Sequence, residues 1–122
     1  ARTISSISVM NGIMSLTSNS TDPQINIKGL KLDSAKYTVL KLRLKNMTRS
    51  TLAEFFFVTD KDATMNAAKS IKIPIEANSS DFVEYEADIT NELWKDTVTQ
   101  LRFDPMTAVG DMQIDYIILA NE

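Results

Sequence analysis

The stretch YTVLKLRLK, residues 37–45, alternates without a break: Thr38, Leu40, Leu42 and Leu44 fall on one side, Val39, Lys41, Arg43 and Lys45 on the other. Successive side chains of a strand point to opposite faces, so this pattern predicts a strand with one face in a core and the other against water. Working outward, similar short runs lie at Ile4–Met10, Ile13–Thr17, Gln24–Ile27, Leu52–Thr59, Ser70–Ile75, Phe82–Asp88, Thr97–Phe103 and Met112–Leu119. Asn, Asp, Ser, Gly and Pro separate them, the residues that turns require. About nine strands at such short spacing, with no long segment of period 3.6, predict an all-β fold, an antiparallel β-sandwich or jelly roll of about 8–9 strands. Two stretches carry a helical look, Asp60–Lys69 and Asn91–Lys95, and each is expected to be a single turn within a connection. Thr17–Asp22 reads as a loop and Asn78–Asp81 as a turn.

The chain has 122 residues, of which 43% are hydrophobic, enough for one core and one expected domain over residues 1–122. A net charge of −3 with scattered basic residues lacks the concentrated positive field that phosphate backbones demand, which argues against nucleic acid as a partner. The longest apolar runs, Ala53–Val58 and Ile114–Ala120, are broken by Glu54 and Asp115 and are too short to cross a bilayer as helices. With no cysteine, folding relies on the core rather than on disulfides or thiolate-bound zinc. The sequence opens at Ala1 without a charged segment followed by an apolar run, as expected for a domain whose leader has been removed or that was excised from a longer chain.

Catalysis finds little support. Histidine is absent, which excludes Ser-His and Cys-His nucleophilic systems and imidazole metal sites. A glycosidase needs only two carboxylates, but the 16 acidic residues include no pair that spacing selects, so no catalytic residue is assigned. Three Asn-x-Ser/Thr triplets, at Asn19, Asn46 and Asn78, are expected in loops and read as turn chemistry. Asp60-Lys61-Asp62 reads as an acidic helix-start signal rather than a metal loop.

A resemblance spans nearly the whole chain and is densest from Trp94 to Leu119. There the sequence runs W-x-D-T-V-T-Q-L-R-F-D-P and then G-D-M-Q-I-D-Y-I-I-L. This is similar to the W-x-G-x-I-x-Q-L-R-x-D-P…G-x-x-x-I-D-Y-I-x-L signature of bacterial sandwich modules found beside glycoside hydrolase and surface-layer domains. Upstream, Asn11-Gly12, Asp22-Pro23, Leu32-Asp33 leading to Tyr37, Phe55-Phe56-Phe57 with Thr59-Asp60, and Phe82 and Tyr85 with Asp88 agree with it. Asp96 departs from the pattern, standing where the family usually has glycine. The resemblance implies a galactose-binding-like jelly roll at the bacterial cell surface or outside the cell. It also implies a non-catalytic module that carries a larger protein to a polysaccharide or glycan, with that protein's neighbouring domains as further partners. The other reading is a spacer or protein-docking module that does not touch sugar.

Sugar binding requires rings that stack on pyranose faces and planar polar groups that fix hydroxyls. Alternation leaves Phe82 with Glu84 on one charged strand face and groups Phe56 with Glu54 on another. With Lys41, Arg43, Gln100 and Arg102 these are expected to form one polar sheet face; cross-strand charge pairing on a solvated face is the plainer reading of the same residues. Trp94, the only tryptophan, is a candidate platform, although the signature places it just before a core strand, where it would cap the sandwich end. Arg102 and Asp115 sit between apolar neighbours and are expected to form a partly buried ion pair. The alternative, implied by related jelly rolls, is a structural calcium held by Asp115 with Asp104 or Asp22.

Overall fold

The structure, a computed structural model, describes residues 4–10 as a strand course and residues 12–19 and 23–121 in full. Asn11 and Asp22, cited in the resemblance and for calcium, lie outside the described residues. These form ten strands: β1 Ile4–Met10, β2 Ile13–Ser18, β3 Ile25–Ile27, β4 Leu32–Asp33, β5 Val39–Asn46, β6 Leu52–Thr59, β7 Ser70–Pro74, β8 Val83–Asp88, β9 Thr97–Asp104 and β10 Gly110–Ala120. One sheet runs β1-β2-β10-β5-β8; the other runs β3-β9-β6-β7, with β4 also on β9. Every pairing is antiparallel. The antiparallel sandwich expected from the alternation is the fold observed, and all nine expected strands are present.

The core is the meeting of the two inner faces. Leu40, Leu42 and Leu44 of β5, with Leu16, Met112 and Ile114, join Ala53, Phe55, Ile73 and Phe103 of the other sheet in one buried cluster. Phe55 and Phe103 are cross-strand partners whose rings stack with centroids 4.3 Å apart. Burial of each Leu or Phe is worth about 1.5–3 kcal/mol, so this cluster is the main source of stability in a chain without cross-links.

Residues 60–69 and 91–95 are connections that each hold a turn, at 67–68 and 92–93, and no regular helix, as expected, whereas a single 3-10 turn at Ser34–Lys36, capped by the Asp33 carboxylate, was not expected. The reason lies in what each segment bonds. In 60–69, Lys69 is 1% exposed, and its ammonium reaches both the Asp62 carboxylate, at 3.0 Å, and the Asp62 carbonyl, at 3.1 Å. That clamp spends the segment's polar groups across the loop rather than along a helix. The Asp62 carboxyl is held below its usual pKa chiefly by the hydrogen bond from Lys69 and then by the backbone N–H of Thr64.

Asn46 closes the opposite end. It ends β5, fully buried, rather than sitting in a loop as its triplet suggests. Its amide nitrogen donates to the carbonyls of Ser50 and Glu76, and its oxygen accepts from the Thr48 backbone N–H and hydroxyl. One side chain thereby ties three segments together.

Candidate functional site

Arg43 and Arg102 do not share a face. Arg43 lies on β5 and Arg102 on β9, in different sheets, so the single polar face expected from the sequence is two faces on opposite sides of the sandwich. Alternation assigns each residue to an outer face correctly, but only strand order decides which outer face it is.

On the β3-β9-β6-β7 sheet, directly opposite residues share a face and register sets them in rows. Asn26, Arg102, Phe56 and Ser70 form one row across all four strands. Asp104, Glu54 and Lys72 form the next, and Gln100 stands opposite Val58 on the other side. Hydrogen bonds fix this array before any ligand arrives. Arg102 grips Asp104 with two parallel bonds, Nε to Oδ1 at 3.0 Å and Nη2 to Oδ2 at 3.1 Å. Gln100 donates to Asn26 across the strands at 3.2 Å. The Arg102 guanidinium lies over the Phe56 ring, 4.1 Å from its centroid. Phe56 is the ring sent away from the core, as alternation predicts, but it is only 8% exposed, and Val58 beside it only 4%. The Arg102 guanidinium over the ring supplies part of that cover.

The β1-β2-β10-β5-β8 sheet carries the other group. Tyr116, Arg43 and Glu84 make one row and Lys41 lies opposite Glu86 in the next. Arg43 bonds Asp115 at 2.6 Å and lies 4.7 Å from the Phe82 ring centroid. This face is more open at its edge, where Ile118 is 42% exposed.

The expected Arg102–Asp115 pair is therefore absent: each residue pairs within its own sheet, Arg102 with Asp104 and Asp115 with Arg43. Asp115 is the extra residue of a bulge between Ile114 and Tyr116, which turns its carboxylate toward Arg43. Asp115 and Asp104 are not brought together: they lie in different sheets, and each carboxylate is paired with an arginine, Asp115 with Arg43 and Asp104 with Arg102. Trp94 packs edge-on against Phe57 with centroids 5.0 Å apart, and its indole N–H donates to the carbonyls of Ser34 and Tyr37, both at 3.0 Å. These contacts fit the end-capping role.

Sequence reasoning missed Asn26 and Lys72. Both alternate correctly in their short strands, I-N-I and S-I-K-I, so the signal was there; what was missing was the knowledge that these strands flank β9 and β6.

No protein-family model matches the chain, and no curated protein matches it. Solved structures do. A variant of a family 29 carbohydrate-binding module complexed with cellulohexaose aligns with a TM-score of 0.65 at 13% identity, over 97% of this chain and 75% of that one. A family 4 carbohydrate-binding module aligns with a TM-score of 0.63 at 12% identity, over 98% and 77%. A family 6 module from Clostridium stercorarium in complex with cellobiose aligns with a TM-score of 0.63 at 13% identity, over 100% and 85%. At such identities the likeness is one of fold: the two-sheet sandwich derived above is the sandwich of these modules.

Proposed function

We propose that this chain is a non-catalytic carbohydrate-binding module, and that the outer face of β3-β9-β6-β7 is where a glycan lies. The observation that carries this reading is the preset row of planar polar groups: the Gln100–Asn26 amide pair beside the Arg102–Asp104 fork, with Glu54 and Lys72 alongside. Sugar hydroxyls both donate and accept, and a face that already holds donors and acceptors in place loses little freedom on binding. The fold shared with cellobiose- and cellulohexaose-bound modules supports the same reading. In this role the module holds a larger extracellular or cell-surface bacterial protein near its polysaccharide and performs no chemistry.

Affinity electrophoresis and depletion assays against neutral plant, algal and host glycans test it. Retention by at least one glycan, lost in Arg102→Ala with the fold intact, is the expected result; no retention by any would overturn it.

A second reading, a spacer or docking module, has its own observation. Beyond Ile114, β10 has no partner on its β2 side among the described residues, and there Ile117 and Ile118 are 38% and 42% exposed. Retention of neighbouring domains of the parent protein, with no glycan bound, would favour it.

A further inference from the structure

The sandwich splays open along one side. There β7, the edge of one sheet, and β8, the edge of the other, bound a cleft of about 420 Å³. Among its lining residues are Ile71 from β7 and Ala87 from β8, both half-buried. Its wall is the segment that follows β8, held rigidly: the Asn91 amide nitrogen donates to the carbonyls of Ala68 and Ser70, at 2.9 and 3.0 Å, and its oxygen accepts the Leu93 N–H. The rim carries Lys72, Asp88 and Glu92, all exposed. Among the described residues their charged ends make no hydrogen bond or ion pair, so their capacity is unspent.

Lys72 connects this cleft to the proposed glycan face. It ends the row Asp104, Glu54, Lys72 at the sheet edge and also lines the cleft. A chain lying across the strands from Asn26 toward β7 therefore leaves the face at the cleft mouth. Strands lie about 4.8 Å apart, so crossing four of them takes only a few sugar rings, and a longer chain must continue somewhere.

We propose that the β7–β8 cleft is a terminal subsite that takes one further ring of an uncharged glycan beyond the sheet face. This rests on the reading of the face given above. The cleft size lies in the range of small-molecule sites. Two carboxylates that only accept and one ammonium that only donates match the vicinal hydroxyls of a neutral sugar. The same two carboxylates repel the carboxylate of a uronate, so polyuronates are the disfavoured class.

The test is isothermal titration with gluco- and manno-configured oligosaccharides, from disaccharide to hexasaccharide, and with an oligouronate of the longest length. Ala68→Leu crowds the cleft mouth from an exposed position without adding a ring that could stack on sugar, and Thr90→Leu does so from the other wall should the first fail to fold. In the natural chain, affinity rises with length. In either variant the last increment of roughly tenfold disappears while the short oligosaccharides bind as before. Equal affinities for natural chain and variants at every length would overturn the subsite and leave the face standing. Loss of affinity for short and long ligands alike would place all binding in the cleft, keeping the cleft as a site and overturning the face. No binding by the natural chain at any length would overturn both.

Discussion

Arg102 lies over Phe56, its Cζ 4.1 Å from the ring centroid, with its Nε and Nη2 bonded to Asp104. A guanidinium so placed is a rigid plane, and lysine cannot imitate it, because an ammonium neither stacks flat nor forks. Arg102→Lys therefore keeps the charge and loses the geometry. Glycan affinity is expected to fall about tenfold or more, equivalent to one charge-assisted hydrogen bond of about 1.5 kcal/mol, with the circular dichroism spectrum unchanged. An affinity equal to that of the natural chain would mean that Arg102 only braces the sheet.

Asn46 is buried with all its hydrogen-bonding capacity directed at backbone or hydroxyl partners. Asn46→Ala strands two carbonyls and an N–H, for a loss of about 3 kcal/mol. Asn46→Asp keeps the shape but cannot donate to Ser50 and Glu76, so it is expected to cost nearly as much. Urea denaturation measures both, and a loss under 1 kcal/mol, below the cost of one unsatisfied buried group, would contradict the account.

The Lys69–Asp62 clamp gives a pH dependence. Asp62 titrates below its unfolded value in the folded chain, so its contribution to stability is complete above the ordinary carboxylate pKa and disappears as pH falls through the lowered folded value. Asp62→Asn should flatten that acid limb of the melting curve and lower Tm at neutral pH, while Lys69→Met, of similar length and apolar, should recover most of the loss. A melting profile in acid that is the same with and without the Asp62 carboxylate would refute the clamp.

Trp94 offers a separate check on the end-cap. Trp94→Phe keeps a ring against Phe57 but removes the N–H shared by Ser34 and Tyr37. Stability should drop by about 1–2 kcal/mol while glycan affinity stays within error. A loss of affinity without a loss of stability would instead make the indole a sugar platform.

Asp115→Asn removes the charge paired with Arg43 while keeping an acceptor oxygen, and is expected to lower Tm by a similar small amount whether calcium or chelator is present. A drop seen only with calcium would restore a metal role for that carboxylate.

The strands were legible because alternation is local: runs such as β5, β6, β8 and β9 declare their inner and outer residues through spacing alone. Outer-face membership was legible too, for Phe56, Phe82, Glu84 and Lys41 alike. Long-range order was not. The pairings that put Arg102 beside Phe56 and Asn26, and Arg43 beside Asp115, join residues dozens of positions apart, and nothing in the intervening sequence encodes which sheet each strand enters. The two-residue strand β4 is too short to show any period, and the bulge that aims Asp115 at Arg43 breaks the period where it matters. Residues 60–69 looked helical by composition and are held open by one buried lysine, a tertiary contact that composition cannot express.

The most direct test of the central claim is a titration of backbone amide resonances with a neutral oligosaccharide that the chain retains. Shifts clustering at Asn26, Glu54, Gln100 and Arg102 are the predicted result. Shifts centred on Arg43, Glu84 and Tyr116, or none anywhere, would contradict it.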